Sequence, residues 1–457
     1  MKVFDKIKKI IFPHHILGYA ISYLLLIVFG AFLLSLPISL QAGQSISIVD
    51  ALFTAASAVS VTGLTTIVVG DVFSRFGLIV LLLIIQIGGI GLMFAIVFFW
   101  LVIKKKIGFT ERNMIMTDQN QFSRSGMVKL VRNVLIMFFW IELIGFLIIA
   151  HYLYFMDYFT YQESLMQGIF LTVSLTANAG FDIAPNGDSF QMFANDYFMQ
   201  TMAIILMFMG SIGFWVLSEV KEYFHAKKRK LPFKFSFFVK MIVTLHLFFI
   251  ALGALIIFVF EFGGFLADKN LIESIYYSFF MSVTTRNAGF STMDVNDFSS
   301  ATSMIIMILM FIGASPNSYG GGIRTTSIVV IFLSIKAYAL GKQHVVFNNR
   351  KINQEIISKA YIAFVSALTI VFTGIILISL IEELSLHMIM FEVTSAFGTT
   401  GLSMGITSSL HTMSKVILVL IMFIGRLGIL ALVMMIRPSN VTKISKQNYP
   451  EENIIVG

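Results

Sequence analysis

The sequence predicts an all-α membrane protein of four covalently linked helix–pore-loop–helix repeats, with eight full spans and four re-entrant half-helices about one pseudo-fourfold axis. Three observations predict it. The 457 residues are 57% hydrophobic and only 12% charged, with a mean hydropathy of +0.88, so lipid rather than water is the main solvent. Clusters of Lys and Arg recur between long apolar runs. A short segment ending in small residues and one glycine occurs four times, each time between two such runs.

The first apolar run, 16–37, is long enough to cross a bilayer and has no small-residue cleavage site after its start. It therefore reads as a span and not as a cleavable signal. Full spans are expected near 16–38 and 76–103, 130–155 and 197–222, 238–262 and 302–340, and 358–381 and 414–437. Between the members of each pair lie 50–61, 163–176, 272–284 and 388–398. These are too short for a hydrocarbon core of about 30 Å but suit half-helices that enter and leave by the same face. The repeats divide the chain at 1–106, 107–230, 231–350 and 351–457, the last with a short cytoplasmic tail. Gly88, Gly89 and Gly91 in the second span read as close helix packing by residues that continue the helix.

The formal charge is +8, but the basic residues are not one nucleic-acid patch. They fall into groups at Lys2–Lys9, Lys104–Arg132, Lys227–Lys240, Lys336–Lys359 and Arg437–Lys446, while the intervening segments hold acids such as Asp182, Glu261, Asp294 and Glu392. The positive-inside rule puts both termini in the cytoplasm and the acidic segments outside, where they would also concentrate cations. Cysteine is absent, which removes disulfides and thiolate metal sites. The histidines show no metal-ligand spacing.

Aligned at their ends, the short segments read Val61-Thr62-Gly63-Leu64, Asn178-Ala179-Gly180-Phe181, Asn287-Ala288-Gly289-Phe290 and Thr399-Thr400-Gly401-Leu402, recurring at roughly 110 to 117 residues. A monovalent cation crossing hydrocarbon must exchange its water for oxygens, and the oxygens at hand are backbone carbonyls that no helix uses. Glycine belongs in such a strand because it admits φ > 0, turning neighbouring carbonyls toward one axis, and has no Cβ in the way. Each half-helix ends at its loop with the negative end of its dipole toward the ion path. Four such loops make one pseudo-fourfold cation pore per chain.

These loops resemble those of the membrane subunit of Ktr-type potassium transporters, within the Trk/Ktr/HKT superfamily, over about Ile16 to Arg437. The resemblance implies a homodimer with two separate pores, and the lack of an additional N-terminal pair of spans favours the Ktr branch. It maps the filter glycines onto Gly63, Gly180, Gly289 and Gly401. In plant relatives a serine at the first position goes with sodium selectivity, so four glycines imply potassium as the transported ion. Further support comes from Gly313-Ala314-Ser315-Pro316-Asn317-Ser318-Tyr319-Gly320-Gly321-Gly322, whose proline and glycines break a helix inside its span. The family carries a mobile gating loop at this place, below the filter.

Arg426, near the middle of an otherwise apolar final span, costs about 2.5–3.5 kcal/mol to insert and must face the interior with a partner. The resemblance makes it a guard of the pore with the loop; a structural ion pair with Glu142 is the alternative. Arg286 is expected to turn from the axis toward a carboxylate. Gly320–Gly322 read otherwise as a loop at the membrane edge. The resemblance also implies a separate cytoplasmic nucleotide-binding (RCK-type) regulatory ring, with sodium as a candidate activator and no organic cofactor in this chain. The basic inner segments would dock that ring or contact membrane lipid headgroups. The competing function is an ion-coupled secondary transporter, which needs intramembrane carboxylates and broken helices in two corresponding halves. Only Glu142 offers itself, and the marked break is expected in one module of four. No HExxH, GxSxG or paired carboxylates point to an enzyme.

Overall fold

The computed structural model describes residues 15–91, 97, 127–184, 187 and 189–436. The basic groups near Lys2–Lys9, Lys104–Arg124 and Arg437–Lys446, and most of the second span beyond Gly91, lie outside them. Four times in succession the chain forms a long helix, a short buried helix and a second helix. The first unit holds α1 (His15–Leu34), α2 (Ile48–Ser60) and α3 (Arg75–Ile90). The second holds α4 (Met127–Phe155), α5 (Tyr161–Ala177) and the pair α6 (Tyr197–Ser211) and α7 (Phe214–Lys228). In the third are α8 (Phe237–Glu261), α9 (Leu271–Thr284), α10 (Ser300–Phe311) and α11 (Thr325–Ala339). The fourth comprises α12 (Gln354–Ser379), α13 (Leu386–Gly398), α14 (Thr412–Leu427) and α15 (Ile429–Ile436). A two-residue β-hairpin, Val346–Phe347 with Arg350–Lys351, joins the last two units.

Among the described residues, α4 from Val128, α8 and α12 are unbroken and long and apolar enough to cross a membrane. The short helices have 13, 17, 14 and 13 residues, which at 1.5 Å per residue is about 20–25 Å and less than the bilayer core. Their starts are fixed by polar caps: Ser47 and Ser385 accept from the amides of Asp50 and Met388, and Thr160/Glu163 and Asn270/Glu273 form capping boxes. The α2, α5, α9 and α13 bodies are buried among the longer helices.

Packing closes the four units on themselves. Each first helix lies on the short helix of its own unit, as α1 on α2, α4 on α5, α8 on α9 and α12 on α13. Each second helix lies on the short helix of the next unit, as α3 on α5, α6 on α9 and α10 on α13, and α14 returns to α2. That last contact carries the ion pair Lys415–Asp50, 3.0 Å and largely buried.

The expectation of one broken span is corrected, because the second helices of the second, third and fourth units break, and that of the first ends at Gly91 with the same glycine conformation. In the first, second and fourth units one glycine stands at this point in nearly the same conformation: Gly91 (φ 95°, ψ 136°), Gly213 (φ 106°, ψ 140°) and Gly428 (φ 83°, ψ 136°). Only glycine takes these angles without strain. Beyond Gly213 the chain turns by 100° between α6 and α7. In the third unit the break is the whole segment between α10 and α11. Gly91 therefore ends α3, whereas Gly88 and Gly89 are packing positions: a Cβ at Gly88 would strike Val59 O, and one at Gly89 would stand 2.7 Å from the Tyr319 ring.

Candidate functional site

Two residues before each glycine stands a non-glycine residue held at positive φ, Val61 (58°), Asn178 (55°), Asn287 (80°) and Thr399 (51°); in the first, second and fourth loops it caps the short helix, whereas α9 ends earlier, at Thr284. For β-branched Val61 and Thr399 this conformation is strained and persists only where the surroundings impose it. The imposing contacts are hydrogen bonds running back into the helix. Thr62 N, Ala179 N and Thr400 N donate to Ser57 O, Ser174 O and Ser395 O at 2.7–2.9 Å. The same three serines, through Oγ, accept Gly63 N (3.0 Å), Phe181 N (3.0 Å) and Gly401 N (3.1 Å). The third loop departs: Val283 stands where the serine would be, Ala288 N donates to Thr284 O (2.8 Å), and Thr284 Oγ1 donates to Phe290 O (2.6 Å).

With the amides turned into their own helices, the carbonyls point the other way. Among the described residues no donor reaches the carbonyl oxygens of Val61, Thr62, Asn178, Ala179, Asn287, Ala288, Thr399 or Thr400, and buried carbonyls ordinarily find donors. The four glycines meet around these oxygens in chain order. A Cβ at Gly63 would stand 2.6 Å from Ala179 O and 2.8 Å from Gly180 Cα, and one at Gly180 3.1 Å from Ala288 O and 3.3 Å from Gly289 Cα. One at Gly289 would strike Thr400 O and lie 3.1 Å from Gly401 Cα, and one at Gly401 would strike Thr62 O and lie 3.1 Å from Gly63 Cα. The ring is closed, with one unmatched carbonyl between each neighbouring pair of glycines.

A vestibule of about 420 Å³ opens on one side of the ring, lined by the four glycines with Asp182, Asp294, Ser403 and Thr407 among others. The broken segment of the third unit lies on the opposite side. A Cβ at Gly320 would stand 2.6 Å from the Asn287 side chain, and one at Gly321 2.6 Å from that of Thr399. Gly321 N donates to Thr399 Oγ1 (2.8 Å), and Asn287 Nδ2 donates to Gly398 O. Past the segment is a second cavity of about 110 Å³, lined by Gly89, Gly91, Pro316, Gly322, Arg426 and Gly428 among others.

Several polar contacts hold this segment, and most reach backbone that the helix breaks have freed. Arg426 donates to Tyr319 O and to the carbonyls of Gly88 and Gly89 at the end of α3. Arg286, fully buried, donates to Ile312 O and Gly313 O, each at 2.6 Å, and stacks on the Phe249 ring. Phe214 N donates to Asn317 O (2.6 Å) just past the Gly213 hinge. His246 bridges Ser315 Oγ and Ser211 Oγ, each at 3.2 Å. Tyr319 is wholly buried between Phe138 and Phe214, edge to face with both.

The TrkH family pattern, described as a cation transport protein, matches residues 16–443. The chain belongs to the TrkH family. Its relatives include the Ktr system potassium uptake proteins D and B of Bacillus subtilis, 40% and 37% identical, each match covering 96% of this chain and 96% of the relative. The potassium/sodium uptake protein NtpJ of Enterococcus hirae is 32% identical over 96% of both chains. The crystal structure of the potassium transporter TrkH from Vibrio parahaemolyticus superimposes with a TM-score of 0.71 over 92% of this chain and 85% of that one, at 16% identity. The fold is shared, and the chain is a helical membrane protein of a transporter family.

In this TrkH-family protein the twelve loop residues read from the repeat stand together, and the segment 313–322 stands beside them. Two partner assignments differ. Arg426 does not pair with Glu142, which instead accepts Gln86 Nε2 at 2.9 and 2.8 Å, and Arg286 reaches no carboxylate among the described residues. Neither arginine takes part in the ion pairs Lys129–Glu222, Lys359–Glu355 or Lys415–Asp50. A helix break supplies uncommitted carbonyl dipoles, which serve a guanidinium as well as a carboxylate does and need no second buried charge. The acidic residues between the basic groups are also more occupied than their sequence suggests. Asp196 accepts from both Tyr152 and Tyr158, Glu261 from Ser299 and Phe265 N, and Glu392 from Ser403, Thr407 and Met404 N. Ser57, Ser174 and Ser395 were not singled out in the sequence, yet each stands six residues before its glycine, a spacing that marks them.

Proposed function

We propose that the chain is the ion-conducting membrane subunit of a potassium uptake system, passing K+ through a single filter formed by residues 61–63, 178–180, 287–289 and 399–401. On this reading the four units are four repeats around one pore, with both termini cytoplasmic. The observation that carries it is the closed ring of glycines with donor-free carbonyls between them, the chemistry a dehydrated monovalent cation requires. The segment Gly313–Gly322 acts as the gate, since it lies against Asn287 and Thr399 of the ring and is tied by Arg426 and Arg286. That its relatives are named parts of a potassium uptake system supports a separate cytoplasmic nucleotide-binding ring acting on a homodimer. The Enterococcus relative's name supports sodium as a second ion of interest, here as an activator.

Purified protein in liposomes tests this: potassium flux should follow the potassium gradient alone. A secondary transporter is favoured by one feature, the intramembrane carboxylate of Glu142, and predicts flux that stops when proton and sodium gradients are collapsed. The second helix is interrupted in three units and ends at a like glycine in the first, a pattern not confined to two opposed halves, which suits conduction better than rocking-bundle exchange. Gly63→Ser checks the filter assignment. At φ 92° and with Ala179 O 2.6 Å from the added Cβ, a serine must widen the ring, so the sodium-to-potassium flux ratio should rise by roughly tenfold, about 1.4 kcal/mol of lost discrimination. An unaltered ratio removes Gly63 from the filter.

A further inference from the structure

From the turn between α7 and α8 we infer a binding site for an anionic glycerophospholipid headgroup, of the phosphatidylglycerol class, on the inner leaflet. The first observation is geometric. Because α7 leaves α6 at 100°, it turns out of the line of that span, and on the topology proposed above, on which this inference rests, it lies along the membrane surface. The chain re-enters hydrocarbon eight residues after the last turn of α7, when unbroken α8 begins at Phe237. Residues 229–236 are thereby held at headgroup depth. Positive charge along α7 and this turn places them on the cytoplasmic side.

The second observation is a groove lined by Tyr223, Lys227, Lys230, Leu231, Pro232 and Phe233. Tyr223 and Phe233 of that lining form an aromatic triangle with Phe235, with ring centroids 5.2–5.9 Å apart. Lys227 and Lys230 of its lining are exposed, as is the adjacent Lys228, and none of the three has an ion-pair partner among the described residues. Phe224 and Leu231 beside them are 62% and 57% exposed. Two free lysines lining an aromatic groove with a third beside them, flanked by exposed apolar side chains, match a phosphate with acyl chains next to it. An acidic protein segment would satisfy the lysines but leave Phe224 and Leu231 in water. By contrast, the neighbouring Lys129 is consumed by Glu222 at 2.8 Å, and Glu219 caps Ser236 N.

The test compares full-length protein with Lys227→Gln/Lys228→Gln/Lys230→Gln in nanodiscs of phosphatidylcholine containing a minor fraction of phosphatidylglycerol. Lipid retained through mild detergent extraction is counted by native mass spectrometry. The wild type should retain phosphatidylglycerol over phosphatidylcholine by on the order of tenfold, and the glutamine variant should lose most of that preference. The corresponding triple arginine variant should keep it. Should the glutamine variant fail to fold, titration of phosphatidylglycerol into wild-type nanodiscs carries the test: saturable, salt-sensitive retention supports the site. No preference in the wild type, equal preference in the glutamine variant, non-saturable retention, or loss only of a soluble protein partner with lipid retention intact would each overturn it.

Discussion

Gly401→Ala is expected to reduce potassium uptake by at least tenfold, while Gly405→Ala, four residues on, leaves it near wild type. Both glycines sit at positive φ, 94° and 84°, so the intrinsic backbone penalty, about 1–2 kcal/mol for an L-residue, is common to the pair. They differ in surroundings. A Cβ at Gly401 would strike Thr62 O and crowd Gly63 Cα at 3.1 Å, whereas one at Gly405 meets nothing within 4 Å. The extra methyl at Gly401 must displace a ring carbonyl, and every 1.4 kcal/mol lost from ion coordination is a factor of ten. Uptake in a potassium-uptake-deficient cell, normalised to protein in the membrane, reads the result. Equal losses in the two variants would mean that backbone strain alone is at work and would remove Gly401 from the filter.

That contrast also marks what was legible beforehand. Helix–glycine junctions were readable because a half-helix too short to span, followed by small residues and glycine, repeats in register. The α2, α5, α9 and α13 boundaries fall within two residues of the expected ones. The helix ends at Gly91, Gly213 and Gly428 were not readable, since a glycine in an apolar helix serves close packing and helix termination alike. Gly88 does the first and Gly91, three residues later, the second. Only the third break was visible, because proline and several glycines together have no packing explanation. The partners of Arg286 and Arg426 were hidden for a related reason: they are backbone carbonyls, which have no letter in the sequence and become available only where a helix fails. The serines six residues before three of the glycines were legible in principle, but the third loop lacks one and solves the same problem with Thr284.

Excision of residues 313–322 is expected to raise potassium flux in liposomes without any regulator by an order of magnitude or more. The excision is sterically modest because the two ends of the segment already lie side by side. A Cβ at Gly313 would be 3.2 Å from Gly322 Cα, and Ile323 N donates to Phe311 O at 3.3 Å. Joining Ile312 to Ile323 therefore need not move α10 or α11. What is lost is the material between the carbonyl ring and the inner cavity, including Gly320 and Gly321 against Asn287 and Thr399. In the intact protein the segment is held by guanidinium contacts from Arg426 and Arg286, each hydrogen bond to a charged group contributing about 1.5–3 kcal/mol. On the proposed gating reading, a few such contacts would suffice to keep an open state a minor population. Arg426→Gln, which retains one donor and removes the charge, should give a smaller rise in the same assay. If excision leaves the basal flux unchanged while the protein remains in the membrane, the segment does not obstruct the path and the gate must lie elsewhere.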